Sequence, residues 1–277
     1  MHQRRRDRNE LIVSYLFLRQ AVGWIGALLP IVLLAGNAIS SATPRPDSVS
    51  GYYYTDMRNT LVGALCALGV FLVAYKGYDD VDLWITNIAG FGAIGVAFCP
   101  TKPAICTPGI QACPASSVAR LSTSQQVVGD IHVFFAAVTF IALGLMALRF
   151  AKRGMTPAGQ STISQLRYGL GFGKPDNVSQ RQYTRENAVY HVSGITILSC
   201  VLLAALSNLL PTSVNAHWPL LFIFESVAIF AFGVSWFEKG QTIQGLLART
   251  RKARYATASS ALDGELEPQT ESAPSAS

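Results

Sequence analysis

Apolar residues along this chain fall into six long runs separated by short polar stretches. The runs cover about Gln20–Ile39, Thr60–Lys76, Val81–Phe98, Val127–Phe150, Ala188–Leu210 and Trp218–Phe237. A helix crossing a hydrocarbon core roughly 30 Å thick needs about 20 such residues, with a range of about 17–25, and each run meets that need. The third is the most diluted, because Asp82, Thr86 and Asn87 interrupt its first half. It is retained because the alternative strands the apolar stretch Gly90–Phe98 in a loop. The pattern therefore predicts an all-α fold, a polytopic membrane protein built as a six-helix transmembrane bundle over residues 20–238. A basic segment, 1–19, precedes the bundle and a tail, 239–277, follows it. The tail is basic at first, and its end, Ala258–Ser277, is rich in Ser, Ala, Pro and Glu, a composition too polar to bury a core and expected to be disordered.

Composition agrees with this picture. Of the 277 residues 50% are hydrophobic and 14% charged, against about 25% charged in ordinary soluble domains, so a water-soluble globule and a large soluble catalytic domain are both excluded. Lysine and arginine then set the orientation, because short loops rich in them stay inside. With both termini cytoplasmic, five of the 22 basic residues precede or include Arg19, Lys76 adds one, seven lie from Arg149 to Arg185 and five from Lys239 to Arg254. Only Arg45, Arg58, Lys102 and Arg120 fall outside. Removing the third span would expel the Arg149–Arg185 block, so the charge bias supports six spans as well as orientation. The expected location is the cytoplasmic (plasma) membrane, with anionic lipid at the inner face as the partner of the basic segments. This accounts for the net charge of +6 without nucleic acid. A cleaved signal peptide is disfavoured because the first apolar run exceeds the usual length.

Close packing in lipid uses small residues at four-residue spacing. Ala89, Ala93 and Ala97, flanked by Gly90, Gly92 and Gly95, form such a stripe on the third span and predict a central position for it. Gly23 with Ala27 and Gly63 with Ala67 offer partner faces, and Pro30 is expected to kink the first span. On the inner side, Asp79, Asp80 and Asp82 crowd the tight turn Gly77–Asp80, with Lys76 and the basic loop Ala151–Asn187 as their expected counter-charges. A solvated helix start is favoured there over a cation site.

Glu225 stands apart. It lies seven residues after Trp218, about 10 Å below the outer surface at 1.5 Å per residue. A carboxyl there faces the protein interior and is either functional or a strut between helices. Asp56 and Arg58 before the second span, Asp130 and His132 opening the fourth, and His217 before the sixth reach the same outer level. With Tyr52, Tyr53 and Tyr54 as an aromatic roof, these residues are candidates for an outward-facing polar pocket. The plainer readings are Asp56 paired with Arg58 or Arg120, Asp130 in a favourable first helical turn, and His217 at the interface.

Metal chemistry is poorly served, because His2, His132, His191 and His217 are isolated and no H-x-x-x-H or H-E-x-x-H face occurs. Any metal would fall to His132, His217 and Asp56, and no cofactor is expected. Gly169–Pro175 matches neither phosphate-binding glycine motif and reads as linker. Cys66 and Cys200 lie within spans, whereas Cys99, Cys106 and Cys113 share an outer loop. One disulfide among those three is expected in an oxidising compartment, and spacing does not choose the pair.

Several short motifs recur in a fixed order: Tyr52-Tyr53-Tyr54-Thr55 leading to Arg58 and Val62-Gly63, then Tyr75-Lys76-Gly77-Tyr78, Phe98-Cys99-Pro100-Thr101, and Asp130-Ile131-His132 before Phe134-Phe135-Ala136. Over about residues 20–238 this order resembles uncharacterised six-span bacterial membrane proteins and, more distantly, the damage-regulated autophagy modulator superfamily. The resemblance implies a six-helix bundle with a lipid-related or regulatory role and transfers no catalytic residue. The chain departs from the ceramidase and adiponectin-receptor-like hydrolases, lacking a seventh span and a histidine pair in its last span.

The expected function is non-enzymatic binding of a lipid or protein partner in the outer pocket. An intramembrane metal-dependent lipid hydrolase or transferase is the alternative, and a small transporter with Glu225 as proton relay is third.

Overall fold

The computed structural model describes residues 2–40, 45–75, 77, 79–105, 118, 120–153, 178–207, 209 and 219–239. Six α-helices form among them: α1 (His2–Ser40), α2 (Arg58–Ala74), α3 (Asp80–Phe98), α4 (Thr123–Arg153), α5 (Val178–Ser207) and α6 (Leu220–Lys239). A short 3-10 helix, Ser50–Tyr54, precedes α2 and is called the cap helix below. The described residues contain no strand beyond a single bridge between Ile105 and Val118.

Five of the helices, all but α2, hold a stretch long and apolar enough to cross a membrane. Helix α2 has 17 residues, about 26 Å at 1.5 Å per residue. Two helices outrun their apolar runs. Helix α1 continues as helix back through the basic segment to His2, and α5 begins at Val178, so part of the expected 151–187 loop is helical. Pro30 is buried inside α1, which runs unbroken through it.

Burial is inverted relative to a soluble bundle. Trp84 is 68% exposed, Phe134 63% and Leu202 60%, whereas Asp82, Thr86, His132, Asn187 and Ser235 are buried. In water so large an apolar surface is an association surface; against hydrocarbon it is the solvated face. The chain is accordingly a multi-pass membrane protein.

Helices adjacent in the chain pack together from α1 through α5, and α6 closes against α1. Glycines set the closest approaches. A methyl group on Gly90 of α3 would stand 2.7 Å from the Gly69 carbonyl oxygen of α2, and one on Gly233 of α6 would meet Ala27 and Gly23 of α1. The Gly23–Ala27 face therefore serves α6 and not α3. Gly63, expected to offer a contact face, meets open space. Nor is α3 central. Its small residues let α2 and α4 approach on one side, while Trp84, Phe91 and Phe98 on the other side are exposed.

The two ends of the bundle differ. At one end, Tyr75, Phe150, Tyr190 and Trp236 form a ring cluster with centroids 5.1–5.7 Å apart, and the Lys239 ammonium sits 4.9 Å above Phe150. There, too, Arg149 of α4 donates through Nε to Asp82 at 2.6 Å and through Nη2 to Asp79 at 3.0 Å. Asp79 also caps α3 by accepting from the Asp82 amide at 2.9 Å. Among the described residues, Arg149 supplies a counter-charge. Lys76 and most of the 151–187 loop lie outside the described residues. The ion pair also explains the polar dilution of the third apolar run: Asp82 faces a cation inside the bundle, and Thr86 returns its hydroxyl to the Asp82 carbonyl at 2.9 Å. The other end carries the cap helix and the candidate site.

Candidate functional site

The cap helix is too short to satisfy its own first amide groups, which need an acceptor from elsewhere. Glu225, five residues into α6 and about 8 Å along it, supplies one. Its Oε2 accepts from the Val49 amide at 2.6 Å, and Ser50 Oγ stands 3.5 Å from Oε1. The tie is reciprocal, because the Phe222 amide in the first turn of α6 donates to the Asp47 carbonyl at 2.9 Å. Tyr52, buried and not solvent-exposed at all, packs against Phe222 at 6.1 Å, and Arg45 also lies over the Phe222 ring at 5.5 Å. Burial pushes the Tyr52 phenol above its ordinary value of 10.0, with the Arg45 charge opposing. Burial likewise raises Tyr54, and the nearby Tyr53 adds to this while Arg58 opposes it. The Tyr54 hydroxyl donates to the Thr101 carbonyl at 2.7 Å, so the cap helix is pinned to the segment after α3 as well as to α6.

His132 serves the same end of α3. Its Nδ1 lies 2.6 Å from the carbonyl oxygen of Cys99, the residue that closes α3. A carbonyl only accepts, so Nδ1 carries the proton and Nε2 keeps a lone pair in the neutral ring.

Beneath the cap lies a cavity of about 220 Å³ walled by α4, α5 and α6. Its body is made by small and apolar side chains, among them Ala136 and Ala137 of α4, Ala204 and Ala205 of α5, and Ala228 of α6. Its polar end is formed by Glu225, His132, Ser48, Ser50 and Thr101. Val133, on the rim, is 59% exposed and Ala205 is also exposed, so the cavity opens sideways onto the apolar face of the bundle. A second, smaller cavity of about 60 Å³ shares Glu225 and Ser50 with the first and runs into the bundle centre past Leu65, Thr139 and Ile229. Glu225 stands between the two.

Two of the six candidate pocket residues, Glu225 and His132, thus meet at one cavity. Three others sit at the surface of the same end without lining it. Asp130 is exposed and paired with Lys102 at 2.6 Å. Arg58 donates to the Tyr53 hydroxyl at 2.5 Å and stacks over that ring at 4.2 Å. Asp56 is exposed in the turn before α2. His217 lies outside the described residues, as do Cys106 and Cys113. The Cys99 thiol is free. Among the described residues no three His, Cys, Asp or Glu side chains gather as a metal ion requires.

Sequence reading did not find Ser48, Ser50 and Thr101, or the alanines. The available signal was the alanine pairs 136–137 and 204–205 with Ala228 on three different spans at similar depth, where absent side-chain volume leaves space. No family model, characterised protein or solved structure matches the chain.

Proposed function

We propose that this chain is a six-span plasma-membrane protein, both termini cytoplasmic, that binds lipid in the cavity beneath its cap and serves a non-enzymatic, regulatory role. The observation that carries this reading is the cavity itself. It joins a polar end at Glu225 and His132 to an alanine-walled body open at Val133 and Ala205, which is the shape of an amphiphile lying partly in the bundle and partly in the bilayer. An apolar cavity of about 150 Å³ takes a benzene-sized guest, so 220 Å³ accommodates a head and the first few carbons of a chain, the remainder passing out through the rim. Helix α2 acts as the sixth span, because its 17 residues reach the lower limit of about 17 for a crossing. The resemblance to the autophagy-modulator superfamily points to the same lipid-related class.

The test is lipid retention by the full-length protein purified in mild detergent and measured by native mass spectrometry. Filling the cavity with Ala204→Phe or Ala137→Phe is expected to remove most of the bound lipid while leaving the thermal melt near wild type. Unchanged lipid in both folded variants would overturn the reading.

A further inference from the structure

The closed end of the cavity carries acceptors at Glu225 and His132 beside the hydroxyls of Ser48 and Ser50, which can donate or accept. Both oxygens of Glu225 are acceptors. His132 spends its one proton on the Cys99 carbonyl, which leaves Nε2 as an acceptor. The Ser50 hydroxyl faces Glu225 Oε1 at 3.5 Å, and the Ser48 hydroxyl already receives the Gly51 amide at 2.9 Å. Among the described residues no lysine or arginine lines the cavity. A phosphate or carboxylate head would find no counter-charge here, whereas a head that donates hydrogen bonds finds several acceptors.

The charge balance points the same way. A carboxylate within hydrocarbon needs a cation or a full set of donors. Asp82, also buried inside the bundle, has Arg149 at 2.6 Å. Glu225 has the backbone amides of Val49 and Ser50 and the more distant Ser50 hydroxyl, and among the described residues no lysine or arginine stands within ion-pair distance of it. The apolar walls and the sideways opening add the second half of the guest, an alkyl chain.

We infer that the cavity holds an amphiphile with a primary ammonium head, its N–H groups directed to Glu225 and His132 and its chain leaving between α4 and α5 past Val133 and Ala205. This rests on the lipid-binding reading and specifies its ligand class. The ammonium can belong to an aminophospholipid of the bilayer or to a free long-chain amine, and the chemistry recognised is the same.

The experiment compares four probes on the full-length protein in nanodiscs or detergent, read by native mass spectrometry: phosphatidylethanolamine, phosphatidylcholine, phosphatidylglycerol and dodecylamine. Phosphatidylcholine keeps the positive charge and lacks N–H donors, and phosphatidylglycerol lacks the charge. A charge-assisted N–H bond predicts a preference of about tenfold for the primary amines over both. Glu225→Gln is expected to bring phosphatidylethanolamine down to the level of phosphatidylcholine, and Glu225→Asp, which keeps the charge, to retain the preference. Binding of phosphatidylethanolamine assigns the site to a bilayer lipid, and binding of dodecylamine alone to a free amine. Equal binding of all four probes, or a preference for phosphatidylglycerol, overturns the ammonium assignment. If Ala204→Phe still blocks binding in that case, the lipid site itself stands. Binding that survives Ala204→Phe overturns both.

Discussion

Among the described residues, Asp82 reaches into the bundle near one end and Glu225 near the other, and the two are satisfied in different ways. Asp82 is completely buried and held by the Arg149 guanidinium, which bridges onward to Asp79 at the start of α3. That arrangement joins α3 to α4. Glu225 is held by the backbone amides of Val49 and Ser50 and a long contact from the Ser50 hydroxyl, and it borders two cavities. The same functional group is thus a clasp where a guanidinium closes on it, and a cavity-lining group where the neighbouring side chains include alanines.

The sharpest way to break this comparison is at the clasp. Arg149→Ala takes a paired cation from the buried Asp82, and removing one partner of a buried pair costs about 3–5 kcal/mol. A thermal melt of the detergent-solubilised protein should show a larger loss than any substitution at the cap produces. Replacing both partners, Asp82→Asn with Arg149→Leu, removes the orphaned charge and should recover more than half of that loss. If the double variant is no better than the single, the clasp stabilises through something other than the buried charge.

At the cap, Glu225→Leu removes the acceptor from the Val49 amide. An unsatisfied buried amide costs about 1–3 kcal/mol, so the melt should fall by less than for Arg149→Ala. Hydrogen exchange should rise in residues 47–54 and not around Asp82. Glu225→Gln keeps an acceptor oxygen and gives up only the charge assistance, and should cost about 1 kcal/mol. Ranking these variants in the same assay tests whether the two carboxyl groups differ in kind.

The two regions are not equally readable from sequence. The spans are legible because hydrocarbon imposes a length and a composition on any helix that crosses it, and five of the six runs appear as helices that meet both. The depth of Glu225 follows from the same arithmetic. Partners do not follow, because hydropathy fixes how deep a residue lies and not which way its helix is turned. Arg149 pairs with Asp82 across 67 positions, where Lys76 is the nearer cation in sequence. Spacing alone assigns the second-span face to Gly63, yet the close approach to α3 is made at Gly69, on a different face of the same helix. The tie between Asp47 and Phe222 runs through backbone atoms and has no side-chain signature. The cavity is the least legible feature, since it is defined by alanines and hence by missing volume.

The smallest expected effect is the most discriminating for the cap. The Tyr52 hydroxyl is buried and without a hydrogen-bond partner among the described residues, so its removal takes away a desolvation penalty and no bond. Tyr52→Phe should therefore be neutral or stabilising by up to about 1 kcal/mol, although it alters a fully buried ring position. The alkaline limb supplies the second readout. Because the folded state holds the Tyr52 proton more tightly than the unfolded chain does, the associated stability is complete below the ordinary value of 10.0 and is lost as the pH rises beyond it. Absorbance at the tyrosinate band should show late ionisation of a buried phenol, with hydrogen exchange rising in residues 47–54 over the same range, and Tyr52→Phe should flatten that response. If exchange in the cap already rises well below pH 10 in the wild type, the cap is released by some group other than Tyr52, and Glu225, the carboxyl that holds it at Val49, becomes the residue to titrate next.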